Sequence, residues 1–204
     1  MYDPRSIRFL LPVILLASAC GGATAAPPQP APAPAPMAGA DAPPYAEADA
    51  EFMRDMIPHH AQALAMAALV DERTEDERIR LMAERIAVSQ RDEIAMMSRW
   101  LEARGEPVPD PAHHAHADAA HAQMMGMLTQ AQMERLAAAR GEAFERLFLE
   151  SMIQHHQGAL MMVDRLRRTE QGGLEPEMFQ IISHIDADQR AEIARMQAML
   201  NTIQ

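Results

Sequence analysis

From Tyr45 to the end of the chain, apolar residues recur at alternating steps of three and four. The run Phe52, Met56, His59, Ala63, Met66, Val70 steps by 4, 3, 4, 3 and 4, the signature of a helix with one inward seam. No stretch alternates convincingly as a strand does. The periodicity predicts four long helices: about Glu47 to Val70, about Glu75 to Ala103, about Glu142 to Thr169, and from Pro176 to about Thr202. Gly105 and Pro107 stop the second, Gly172 and Gly173 stop the third, and Pro176 suits the first turn of the fourth. A shorter helix is expected from Thr129, with Gln132 completing a capping box.

The pattern is written twice. Phe52, Met56, Ile57, His59, His60, Ala63, Leu64 and Met66 reappear as Phe148, Met152, Ile153, His155, His156, Ala159, Leu160 and Met162, an offset of 96 (148 − 52). Ile86, Gln90, Arg91, Glu93, Ile94, Met97 and Leu101 reappear as Ile185, Gln189, Arg190, Glu192, Ile193, Met196 and Leu200, an offset of 99 (185 − 86). Two copies of a helical hairpin, about 46–104 and 142–202, joined by a long connection over 105–141, imply an all-α, ferritin-like four-helix bundle.

Polar residues interrupt every seam. The second helix directs Ile86, Gln90, Glu93, Met97 and Trp100 inward, the fourth Ile185, Gln189, Glu192, Met196 and Met199. Each hairpin thus aims a Met–His–His cluster and a Gln–Glu–Met cluster at the interior. A carboxylate there costs several kcal/mol unless it is paired or coordinates a metal. Glu93 and Glu192 either accept hydrogen bonds from the histidines or join them as ligands. Metal binding is expected somewhere in these clusters: Met56, His59 and His60 with Gln90, Glu93 and Met97, and Met152, His155 and His156 with Gln189, Glu192 and Met196.

Ligand type narrows the metal. Ferritin-like di-iron proteins use Glu-x-x-His on their helices. Here the spacing is Met-x-x-His, Met56 to His59 and Met152 to His155. Thioether sulfur favours Cu(I) and, by the same softness, Ag(I), whereas imidazole accepts either copper oxidation state. Copper, with Cu(I) favoured, is the expected ion. Of the 18 methionines, Met66, Met82, Met162 and Met199 read better as core filler. In the connection, His113, His114, His116 and His121 precede Met124, Met125 and Met127, a composition suited to accessory metal capture. Pro58 removes a helix hydrogen bond and is expected to kink the first helix; Gln154 holds the equivalent place.

Charge and the N-terminus add the setting. A formal charge of -11 argues against nucleic acid. Arg5 and Arg8 followed by the apolar run Phe9–Ala19 read as a signal peptide over residues 1–19. The run ends in LASAC, similar to a lipobox with Ala17 in place of the usual Leu, so Cys20 is the expected lipidation site. An ordinary signal peptide cut nearby is the alternative. Residues 20–44 form a Pro/Ala-rich tether to the domain at 45–204, and they include eight prolines between Ala23 and Pro44. Cys20 is the one cysteine, so a metal site in the domain is built from His, Met, Asp and Glu. No Gly-rich phosphate loop or Gly-x-Ser-x-Gly elbow is present.

The phrases MIPHHAQALAMA, MGMLTQAQMERL and FERLFLESMIQHHQGALMM, with the Gln-x-x-Glu-Ile-x-x-Met helices, resemble the bacterial family called domain of unknown function 305. The resemblance covers about residues 46–202. It implies a ferritin-like fold and, from the exported CopM-type members, copper handling by Met56, His59, His60, Glu93 and Met97 and by Met152, His155, His156, Glu192 and Met196. The family's acidic residue before the first histidine pair is Asp55, replaced in the second half by Ser151, which implies a second site that differs from the first. The expectation is therefore a metal-binding protein rather than an enzyme. It would be held as a lipoprotein on the periplasmic face of a bacterial membrane, sequestering or delivering copper in metal homeostasis or resistance. A ferritin-like metal-dependent oxidoreductase and a metal-free structural module are the alternatives.

Overall fold

A computed structural model describes residues 44–110 and 125–203. These form five helices: α1 (Glu47–Ala67), α2 (Glu77–Ala103), α3 (Gln130–Ala138), α4 (Gly141–Arg167) and α5 (Pro176–Leu200). No strand occurs among the described residues. None of their helices is long and apolar enough to cross a membrane.

Local chemistry sets the boundaries. The Asp76 carboxylate accepts from the Arg78 amide at 2.8 Å, so α2 starts at Glu77 rather than Glu75. Pro176 sits at the first turn of α5, where Glu175 accepts from the amides of Glu177 and Met178. The capping box of Thr129 and Gln132 opens α3 as the sequence predicts. α1 ends at Ala67, three residues before the expected Val70, which begins a single 3-10 turn instead. α4 and α5 each end two residues before the expected limit, at Arg167 and Leu200. α1 runs unbroken through Pro58, whose ring nitrogen cannot donate to the Arg54 carbonyl one turn earlier.

The four long helices form a bundle in which α1 packs on α2 and α4, and α5 packs on α4 and α2. α1 and α4 run antiparallel. Phe52, Met56 and Ile57 share a core cluster with Ala159, Met162, Val163 and Leu166, while Ala63, Met66 and Val70 share another with Phe144, Phe148 and Met152. α2 and α5 are antiparallel too: Trp100 and Leu101 lie with Met178 and Ile181, and Ile79 to Ile86 lie with Met196. Burial of these side chains, each worth about 1.5–3 kcal/mol, is the main force holding the bundle.

Between the two apolar clusters lies a polar layer: His59, His60, Gln90, Glu93, His155, His156, Gln189 and Glu192, all at most 3 % exposed. The 125–128 segment crosses the α1–α4 side of this layer. It is fixed by the Gln62 amide, which accepts from the Leu128 amide at 2.7 Å and donates to its carbonyl at 2.9 Å. It passes so close to α4 that a Cβ on Gly158 would stand 1.9 Å from the Met125 carbonyl oxygen, so only glycine fits there.

Candidate metal centre

His59 of α1 and His155 of α4 meet where the antiparallel helices cross, with ring centroids 3.9 Å apart. One residue on, each helix turns its second histidine toward its own hairpin partner. The Nε2–H of His60 donates to Glu93 Oε2 at 2.6 Å, and that of His156 donates to Glu192 Oε2 at 2.6 Å. The adjacent His-His pair needs this division, because neighbouring helical side chains diverge by about 100°.

The acceptors decide which ring nitrogen carries the proton. A carboxylate cannot donate, so His60 and His156 each place a proton on Nε2, and their Nδ1 atoms are buried without a partner. His59 donates from Nε2 to the Met125 carbonyl at 3.1 Å, and its Nδ1 is likewise unpaired. His155 is held by the His59 backbone, with Nε2 unpaired. All four imidazoles are oriented by an oxygen acceptor and keep the opposite nitrogen buried and unpaired. Metal-bound histidines are prepared in this way, with the second nitrogen donating to a carboxylate or carbonyl.

Electrostatics keeps the central pair neutral. Burial pushes the His59 imidazole down to about 3, aided by His60 and opposed by its bond to Met125. Burial also drives His155 well below the usual histidine range, with the neighbouring His59 adding to the effect. For Glu93, burial acts upward, but the hydrogen bond and charge of His60, then His184, hold the carboxyl below its usual value. A neutral imidazole, as at His59 and His155, is the form that binds a metal ion.

The methionines lie in the apolar clusters on either side of the polar layer. Met56 and Met97 lie in one core cluster and Met152 and Met196 in the other, all fully buried. Each hairpin thus carries its two histidines and its glutamate in the polar layer and two buried methionines in an apolar cluster next to it. Gln90 and Gln189 stand beside them with both amide atoms of each buried and unpartnered. The seam periodicity points both glutamines inward, and their recurrence at an offset of 99 (189 − 90) marks them as part of the repeated layer.

The connection is placed in part. Met125 packs against a core cluster and supplies the carbonyl over His59. Met127 is buried, so its side chain belongs to the interior rather than to an open capture loop. His113, His114, His116, His121 and Met124 lie outside the described residues, as does Cys20. Asp55 is exposed and lines a groove with Met125 and Met162, whereas its counterpart Ser151 is buried.

The family profile of a domain of unknown function (DUF305) matches residues 49–200. The chain belongs to this family. A DUF305 fragment from Deinococcus radiodurans is 34% identical, with a TM-score of 0.68 over 78% of this chain and 99% of that one. A DUF305 protein from Streptomyces coelicolor is 33% identical, with a TM-score of 0.63 over 76% of this chain and 91% of its own. CopM in its Cu(II)-bound form is 30% identical, with a TM-score of 0.61 over 76% of this chain and 96% of that one. CopM has also been solved with Cu(I) and with Ag. An uncharacterized protein of Acanthamoeba polyphaga mimivirus is 39% identical over 56 residues, and the match spans 37% of that protein's length.

Proposed function

We propose that this DUF305 protein binds copper in its polar layer, with Cu(I) favoured and Ag(I) accepted, and sequesters or delivers it. The observation that carries this reading is the set of four oriented imidazoles with buried, unpaired nitrogens. A buried imidazole nitrogen with no partner costs on the order of 1–3 kcal/mol, and coordination to a metal ion would satisfy it. Soft thioethers from Met56, Met97, Met152 and Met196 complete the set and select a monovalent soft ion. Among the described residues two carboxylates enter the layer, each already accepting from a histidine, which is unlike the carboxylate-rich centre of a ferritin-like oxidase. The similarity to CopM solved with Cu(I), Cu(II) and Ag supports the same choice. The bound metal is cargo: the histidines and carboxylates hold it, and the packed methionines exclude water from it.

The expected test is Met56→Glu with Met152→Glu, which installs the Glu-x-x-His spacing of a harder site. Cu(I) affinity, measured against a competing chelator, should fall about ten- to a hundredfold, the range a lost supporting group costs a metal site. Zn(II) affinity should fall less, since carboxylate replaces sulfur while the imidazoles remain. Full retention of Cu(I) affinity would make these methionines core filler and sink the soft-metal reading.

The same reading places the domain outside the cytoplasm, lipid-anchored through Cys20 on a Pro/Ala tether. It rests on the LASAC segment and on the composition of residues 20–44. Cys20→Ser should move the protein from the membrane fraction to the soluble periplasmic fraction with its helicity unchanged. A Cys20→Ser protein still sedimenting with membranes would refute the anchor.

A further inference from the structure

The polar layer has one outlet that the repeat does not copy. Glu93 uses Oε2 for His60, but its Oε1 faces across the α2–α5 contact to His184 Nδ1, 3.3 Å away. The same Nδ1 lies 3.7 Å from Asp188 Oδ2, one turn further along α5. Ligating atoms of all three residues fall within 4.8 Å of one another. Donors about 2.1 Å from a tetrahedral ion stand about 3.4 Å apart, so the two edges at His184, 3.3 and 3.7 Å, suit such an ion. Glu93 is buried, whereas the side chains of His184 and Asp188 are 56% and 43% exposed, which leaves the outer side open to water.

The other half lacks this arrangement. At the offset of 99, His184 corresponds to Arg85 and Asp188 to Ser89. A guanidinium has no lone pair to give, and a neutral hydroxyl is a poor substitute for a carboxylate. Ser89 instead donates to Asp188 at 3.4 Å, orienting the carboxylate toward the cluster. The departure from the repeat therefore falls on two residues that converge on one buried glutamate.

We propose that Glu93, His184 and Asp188 form a surface site for a divalent cation of borderline hardness, Zn(II) or Cu(II), present once per chain. One imidazole and two carboxylates match that class of ion and offer nothing soft to Cu(I). The site does not depend on copper in the interior. It shares Glu93 with the polar layer, so an ion held at Oε1 sits one carboxylate away from His60 and its buried neighbours.

The test uses the full chain with Zn(II) alone, reading carbethoxylation of His184 by mass spectrometry. Zn(II) should slow modification of His184 at least about fivefold in the wild type, since coordination occupies the reacting lone pair. Asp188→Ser, which copies the first repeat, should abolish most of that protection while leaving the helical spectrum intact. A His184 rate indifferent to saturating Zn(II) would overturn the site, and so would undiminished protection in Asp188→Ser at the same Zn(II) concentration. Cu(I) competition on the same proteins separates the two readings. A chain that binds no Cu(I) yet protects His184 refutes only the interior site. A chain that binds Cu(I) without protection refutes only this one.

Discussion

In the first hairpin His60 meets Glu93 at 2.6 Å, and in the second His156 meets Glu192 at the same distance. One step outward, the halves part. Gln62 holds the Leu128 backbone where the second half has Gly158, Arg85 stands opposite His184, Ser89 opposite Asp188, and Asp55 opposite Ser151. The inner residues answer to one another and to the same buried layer, so a change in either half leaves an orphaned polar group. The outer ones answer to a connection that crosses the bundle once, and a single crossing cannot be symmetric. Gln62 and Gly158 show this directly: one side grips the 125–128 segment, and the other makes room for it.

Making the halves alike should therefore break the crossing. Gly158→Gln, which writes the first half's residue into the second, puts a Cβ 1.9 Å from the Met125 carbonyl oxygen. Backbone stands in the way, so the segment must lift, at a cost of about 3 kcal/mol for overpacking of this kind. Gln62→Ala leaves the buried amide and carbonyl of Leu128 unpaired and should cost about 2 kcal/mol. Urea unfolding measures both. The double variant should lose less than the sum, because the two residues hold the same segment. A Gly158→Gln protein as stable as the wild type would mean that the segment does not cross α4 where the structure has it.

The inner half of this comparison was readable from sequence, because helical periodicity and duplication place His59, His60, Glu93 and their copies without tertiary information. Their division of labour was not. Which imidazole meets a carboxylate and which meets its counterpart depends on the antiparallel crossing of α1 and α4, and periodicity says nothing about crossing direction. Met127 illustrates a second limit: its stretch shows no helical or strand period, and only the passage of the connection across the bundle buries it. His184 and Asp188 went unassigned for a similar reason, since their partner Glu93 lies 91 and 95 residues earlier (184 − 93 and 188 − 93) on another hairpin. Helix ends missed by two or three residues because frayed or capped termini answer to single side chains such as Asp76.

The central and outer histidines of each half also differ, and acid should expose the difference. His59 and His155 have carbonyls for partners and no carboxylate, while His60 and His156 each have one. An unfolded histidine titrates near 6.5, while burial holds His59 down to about 3 and His155 well below its usual range. Between those values the unfolded chain binds protons that the native protein refuses, so stability rises with pH. The contribution is complete above about pH 6.5 and is lost as pH falls toward the folded values. For the metal-free protein, a drop from pH 7 to pH 5 should remove about 2 kcal/mol through His59 alone, since each pH unit below the unfolded value costs about 1.4 kcal/mol. His59→Gln and His155→Gln should each flatten the slope of unfolding free energy against pH. Their combined effect should fall short of the sum, because a proton on either ring already repels one from the other. Stability that stays level between pH 7 and pH 5, measured by urea unfolding of the metal-free chain, would show that water reaches the His59–His155 pair. Bound copper should shift the whole profile to lower pH, since the ion and the proton compete for the same nitrogen lone pairs.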